Sequence, residues 1–174
     1  MFPARTALAL AALMAASPAF AQAELGATAT AAMKGPDGAD IGTVTFTETN
    51  SGVLLNAELT GLAPGPHGFH LHAVGECEPP FESAGDHYNP TNVDHGYLAE
   101  GGPHVGDMPN IHVPDSGTLT VELLHPVVSL SPDSGNSLFD EDGTALLIHA
   151  DPDDYKEQPA GHAGDRIACG VVEQ

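Results

Sequence analysis

Basic residues are scarce in this chain: four lysines and arginines stand against 24 aspartates and glutamates among 174 residues. Such a field repels phosphate backbones, so nucleic acid is excluded as a natural partner. It keeps copies soluble and says nothing of chemistry. Long apolar runs are also missing. The one run, residues 7–16, is shorter than the roughly 20 residues that a membrane span needs. It follows Arg5 and leads into Ala19-Phe20-Ala21. A basic start, a short apolar run and a small-x-small ending are the pattern of a secretory signal peptide. Cleavage is expected after Ala21, with Ala23 as the alternative, leaving one domain over 22–174. A buried apolar helix is the competing reading of the run. The mature chain is then exported, to a periplasm or the extracellular space. It retains Lys34, Lys156 and Arg166 as its only basic residues beside all 24 acidic ones.

Cysteine is reduced to two, Cys77 and Cys169. In an oxidising compartment two cysteines generally pair; two free buried thiols are the alternative. Helical periodicity, repeats and low-complexity linkers are absent. Short runs rich in Val, Ile, Leu and Thr remain, at 27–33, 41–49, 53–59, 68–74, 118–124, 145–150 and 167–172. Several alternate apolar and polar residues at period two, and Gly/Pro turns at 35–38 and 63–66 separate them. Many short strands with such turns argue for an all-β sandwich or barrel. Residues 75–110 carry no pattern of either kind. A loop of that length inside a small domain is unusual unless it is functional. Ordering it costs roughly 1–2 kcal/mol per residue in backbone entropy, so something must hold it.

Histidine is the residue in excess. There are ten, seven of them from His67 to His112. His70 and His72 stand two apart in a strand-like run, a spacing that points both imidazoles to one face. His149 ends another apolar run and can supply a third nitrogen. Three or more imidazoles without thiolate suit copper or zinc. In the unpatterned loop, His87, His95, His104 and Asp107 make a three-imidazole, one-carboxylate set of the kind that closes around zinc. For any one of these residues a solvated surface role competes; the set as a whole favours metal.

Four motifs then carry a resemblance. Gly-Phe-His-Leu-His at 68–72, Ser-Ala-Gly-Asp-His-Tyr-Asn-Pro at 83–90, Gly-Gly-Pro-His-Val-Gly-Asp at 101–107 and Gly-Asp-Arg-Ile-Ala-Cys-Gly-Val at 164–171 resemble copper–zinc superoxide dismutases, in that family's order and over nearly all of the mature chain. The resemblance implies a Greek-key antiparallel β-barrel of about eight strands with long metal-binding and electrostatic loops. It implies one copper and one zinc per subunit, with superoxide converted to dioxygen and hydrogen peroxide. His70, His72, His87 and His149 correspond to copper ligands, and His87, His95, His104 and Asp107 to zinc ligands. His87 thereby bridges the metals, and Asp153 is the outer carboxylate joining ligands of the two. Arg166 is the arginine beside the copper that attracts the anion, and Cys77–Cys169 is the family disulfide. His67 corresponds to a loop-bridging hydrogen bonder. His112, His125 and His162 match no ligand and are expected to be solvated.

There are departures. Asp86 stands beside His87 where Gly or Pro is expected, His162 stands where Asn is common, and the segment from His149 to Arg166 is short. The spacing from His72 to Cys77 is closer to bacterial members. A homodimer is compatible with the resemblance, although animal and bacterial members pair through different faces. Competing functions are a periplasmic copper or zinc carrier without turnover, an inactive interaction module and a hydrolytic zinc enzyme. All seven ligand positions are present, and no spare zinc position with a placed base is evident.

Overall fold

A computed structural model describes residues 23–174; the expected leader and its cleavage point at Ala21 lie outside them. Among the described residues nine strand segments form, β1 Thr28–Lys34, β2 Asp40–Thr49, β3 Gly52–Leu59, β4 Gly65–His67, β5 Phe69–His72, β6 Ile111–Val113, β7 Leu119–His125, β8 Ala145–His149 and β9 Arg166–Glu173. The seven runs expected from sequence all become strands. The three-residue β4 and β6 were not expected, being too short to show a period. Among the described residues no helix is long and apolar enough to cross a membrane.

Alternation does what it should. In β1, Ala29, Ala31 and Met33 are buried between exposed neighbours. In β3, Val53, Leu55, Ala57 and Leu59 face the same core. Fully buried Phe46, Phe69, Leu55 and Leu71 fill its centre, each stabilising the fold by roughly 1.5–3 kcal/mol. The β1–β2 turn is Gly35–Gly38, where Gly38 takes a left-handed φ of 82° that L side chains resist.

The seven-stranded antiparallel sheet has the order β5-β8-β9-β1-β2-β3-β7. β4 pairs with β6 and is continuous with β5 except at Gly68, and β6 packs beside β7. Counting β4 and β5 as one broken line gives the eight strands expected. The curled sheet closes through β4 and β6, with Greek-key order.

The 75–110 loop does not wander. Two of its stretches, around 86–88 and 106–107, run along the free edge of β5. Tyr88 N donates to Leu71 O, Leu71 N to Gly106 O, and Ala73 N to Asp86 O. Gly106 is required there, since a Cβ would lie 2.3 Å from Leu71 O. The loop's only helical element is the single 3-10 turn Glu82–Ala84. Outside the sheet a second small core gathers Phe81, Ala84, Ala145, Leu147 and Cys169. Here the Cys77–Cys169 disulfide joins the loop to β9 across 92 residues. Closing a loop of that length is worth about 4–5 kcal/mol in the chain-entropy account. Cys77→Ser is therefore expected to lower the melting temperature by on the order of 10 °C. A thermal melt equal to the parent's would show that the loop is ordered by other contacts.

Candidate metal centre

Parity along β5 builds the first half of the site. Phe69 and Leu71 enter the main core, so His70 and His72 point the other way, beneath the loop. In β8, Leu146 and Ile148 enter the same core, which leaves Ala145, Leu147 and His149 on the loop side. Gly68 lies under this cluster, and a Cβ there would meet Ala163, His70 and His149 at 2.9–3.3 Å. His87 joins them from the loop. The ligating atoms of His70, His72, His87 and His149 lie within 4.8 Å of one another, and so do those of His87, His95, His104 and Asp107.

Three rings, those of His70, His87 and His95, are fixed by one nitrogen and leave the other buried without a hydrogen-bond partner. His70 Nε2 meets Asp153 Oδ2 at 2.9 Å while its Nδ1 is buried without a partner. His72 Nδ1 donates to Gly85 O at 2.9 Å, and its Nε2 stands 3.4 Å from His149 Nε2. His87 Nδ1 meets Asp107 Oδ1 at 2.8 Å, and its Nε2 is orphaned. His95 Nε2 meets Asp153 Oδ1 at 3.0 Å. Its Nδ1 lies 3.0 Å from Asp107 Oδ2 with no hydrogen bond formed, and His104 Nδ1 is likewise unpartnered. Buried polar atoms without partners are costly. Converging imidazole nitrogens of this kind are what a copper or zinc ion would satisfy. The residues present therefore fit both ions.

Electrostatics agree. Burial, with the charges of neighbouring imidazoles, holds His72 well below its usual value, His87 at about 4 and His149 at about 3. These rings are neutral near pH 7, the form that binds metal. Burial works to raise the Asp107 carboxyl, but the imidazoles of His104, His87 and His95 gathered around it, with the Gly96 N–H, hold it far below the carboxylate range. His95 behaves oppositely: against burial, the carboxylates of Asp107 and Asp153 push it up to about 9.

Arg166 opens β9 opposite His149. Its Nη1 donates to Phe81 O at 2.6 Å and its Nη2 to Gly85 O at 2.8 Å. With His149, Gln158, Pro159, His162 and Gly164 it lines a cavity at the mouth of the cluster. His67 contacts His149 O and Ala63 O, both at 2.8 Å, and so ties β4 to the end of β8.

The expectation of a solvated histidine fails at His125, which is buried at the end of β7, where burial lowers its pKa. It shares the inward parity of Leu119, Val121 and Leu123, a signal the sequence carried. His112 and His162 are exposed. Sequence reasoning also missed Asn110, Gln158 and Gly161. Asn110 exchanges two hydrogen bonds with the Asp153 backbone, at 2.8 and 2.9 Å. Gly161, at φ 67°, abuts Asp153 so closely that a Cβ would fall 1.8 Å from its carboxylate.

The fold and the cluster define a β-barrel with a two-part histidine centre sharing one ring. Residues 41–172 match the copper/zinc superoxide dismutase family, and the chain belongs to that family. It is 53% identical over 137 residues to superoxide dismutase [Cu-Zn] 1 of Aquifex aeolicus, covering 78% of this chain and 81% of that one. Identity to the superoxide dismutase [Cu-Zn] of Caulobacter vibrioides is 47% over 148 residues, covering 83% and 85%. A crystal structure of a double mutant of a superoxide dismutase-like protein from Bacillus subtilis superposes with a TM-score of 0.81 at 37% identity, covering 83% of this chain and 97% of that one.

Proposed function

We propose that the chain disproportionates superoxide: two superoxide anions and two protons give one dioxygen and one hydrogen peroxide. The observation carrying this reading is the pair of buried four-residue sets meeting at His87, in a chain of the copper/zinc superoxide dismutase family. His70, His72, His87 and His149 would hold copper, and His87, His95, His104 and Asp107 would hold zinc. Bound in the first set, copper supplies a one-electron couple, while zinc in the closed second set is redox-inert and structural.

The chain's own groups do the rest. Arg166, pinned by two carbonyls, offers its remaining N–H groups to an anion entering beside His149; such preorganised donors need no rearrangement when charge arrives. His87 Nε2, buried and unpartnered, is the atom at which a proton can be taken up and given back, while Nδ1, on the Asp107 side of the ring, would serve the zinc set. Asp153 fixes the rings of His70 and His95 at once, which supports a role in holding the two sets in register. Superoxide decay catalysed by the copper-loaded chain, and not by the zinc-only chain, tests this function.

The reading extends to export into a periplasm or the extracellular space, supported by the residue 1–21 pattern and by the disulfide. It extends also to a homodimer, supported by exposed Tyr97, Leu98, Leu124 and Val127, with sedimentation mass as its test.

A consequence concerns protons. In the metal-free chain His95 is protonated at neutral pH, its raised pKa being about 9. Zinc needs the neutral ring, so binding expels that proton. Apparent zinc affinity should therefore rise with pH up to about 9, and zinc titration in buffers of different ionisation heat should detect the release. The same shift has a definite sign for stability. It stabilises the metal-free fold fully below about pH 6.5, and that contribution is lost as pH rises through about 9. Zinc affinity independent of pH would contradict this account of His95.

A further inference from the structure

We propose that Gln158 is a positioning residue that couples the zinc-side ligand His95 to the wall of the substrate channel. The inference rests on the assignment of His95 to the zinc set. The Gln158 side-chain Oε1 accepts from His95 N at 2.8 Å, and its Nε2 donates to His95 O at 2.9 Å. One amide thus satisfies both backbone groups of one residue, as a neighbouring strand would.

His95 is otherwise on an irregular stretch. Among the described residues its backbone makes no hydrogen bond except to Gln158. Its ring is held independently, by Asp153 Oδ1 at 3.0 Å. Asp153 and Gln158 lie on the same short segment, five residues apart. That segment therefore grips His95 at both ends of its side chain and sets where Nδ1 points.

Two neighbouring contacts show how closely the segments meet. Leu98 N donates to Tyr155 O at 2.9 Å, and a Cβ on Gly96 would lie 2.2 Å from that same oxygen. Beyond Gln158 the chain continues through Pro159, Ala160 and His162 to Gly164 and Arg166, lining the cavity that contains His149. Gln158 thus touches a zinc-set ligand and also lines the channel wall. Zinc drawing His95 into place fixes Gln158, and Gln158 fixes the wall. By linkage, whatever loosens one end loosens the other.

Gln158 is exposed, so replacing it removes little core packing, and the folded barrel should persist. The test uses the full-length mature chain, with cobalt(II) as the probe of the zinc set. Gln158→Met removes both hydrogen bonds at similar volume. It should weaken cobalt binding about tenfold in chelator competition, the scale of two modest hydrogen bonds lost. It should also shift the visible cobalt spectrum and lower the superoxide rate constant, although no ligand or charge has changed. Gln158→Glu keeps the acceptor for His95 N–H and loses the donor, and should fall between. Parent-like cobalt affinity and spectrum in Gln158→Met would overturn the proposal. Failure of the parent chain itself to bind cobalt would overturn the zinc assignment beneath it.

Discussion

Replacing His87 with alanine is expected to strip copper and zinc from the chain together and to reduce superoxide turnover to near background. The reason is position. The His87 ring centroid lies 4.2 Å from that of His70, 4.9 Å from His72, 5.1 Å from His95, 5.6 Å from His104 and 6.1 Å from His149. It is the one ring in contact with every other imidazole of both sets. Alanine deletes a nitrogen from the four-nitrogen set and another from the His/Asp set. It also leaves Asp107 Oδ1 without its 2.8 Å partner. Losing an outer partner of a metal ligand typically costs about 10–100-fold in affinity; losing a shared ligand should exceed about 100-fold at each site. His70→Ala and His104→Ala are the controls, since each belongs to one set. Metal analysis after dialysis, with the copper spectrum, reads the result. An unchanged zinc affinity in the His87 variant would mean that the two sets do not share this ring.

The second large effect is expected at Arg166. Superoxide is an anion, and the chain carries a formal charge of −20. A uniform field of that sign would slow encounter. Fields are local, however, and a cleft of one sign focuses its own potential. The Arg166 guanidinium is held at the mouth, beside His149, by Phe81 O and Gly85 O. Bound metal adds positive charge behind it. Acidic groups are nearby: Glu82 and Asp165 line an adjoining cavity, and Glu157 lies 3.7 Å from His162 on the outer side. They face water, where screening is strongest. The Debye length is about 10 Å at 0.1 M salt, so added salt removes distant repulsion and distant attraction alike, and the net sign is measurable. With attraction dominant at close range, the second-order rate falls as ionic strength rises. Arg166→Glu should lower that rate by on the order of 100-fold, as loss of one preorganised donor does elsewhere. A parent rate climbing steadily with salt would refute steering and leave the metal sets untouched.

What could be read in the sequence follows from distance along the chain. His70 and His72 were legible as a pair because strand period is two, and His149 because it ends an apolar strand. His87, His95, His104 and Asp107 were legible only as residue types in an unpatterned loop and through the family's motifs. No periodicity says that such a loop folds back along the edge of β5. Asn110, Gln158 and Gly161 were not legible at all. Their partners Asp153 and His95 lie 43, 63 and 8 residues away, in irregular segments where spacing carries no direction. The burial of His125 is legible in the parity of β7, which places it on the inward side with Leu119, Val121 and Leu123. The short β4 and β6 escaped because three residues do not make a pattern, although they complete the barrel that holds the site.

The central claim is that one chain carries a redox copper set and a separate structural zinc set, joined at His87, and turns over superoxide. Metal content and superoxide decay measured on the same purified sample test it most directly. About one copper and one zinc per chain are expected, with turnover lost when copper alone is withdrawn and restored by copper but not by zinc. Zinc in both sets after copper loading, with no superoxide turnover, would contradict it and would describe a metal carrier instead.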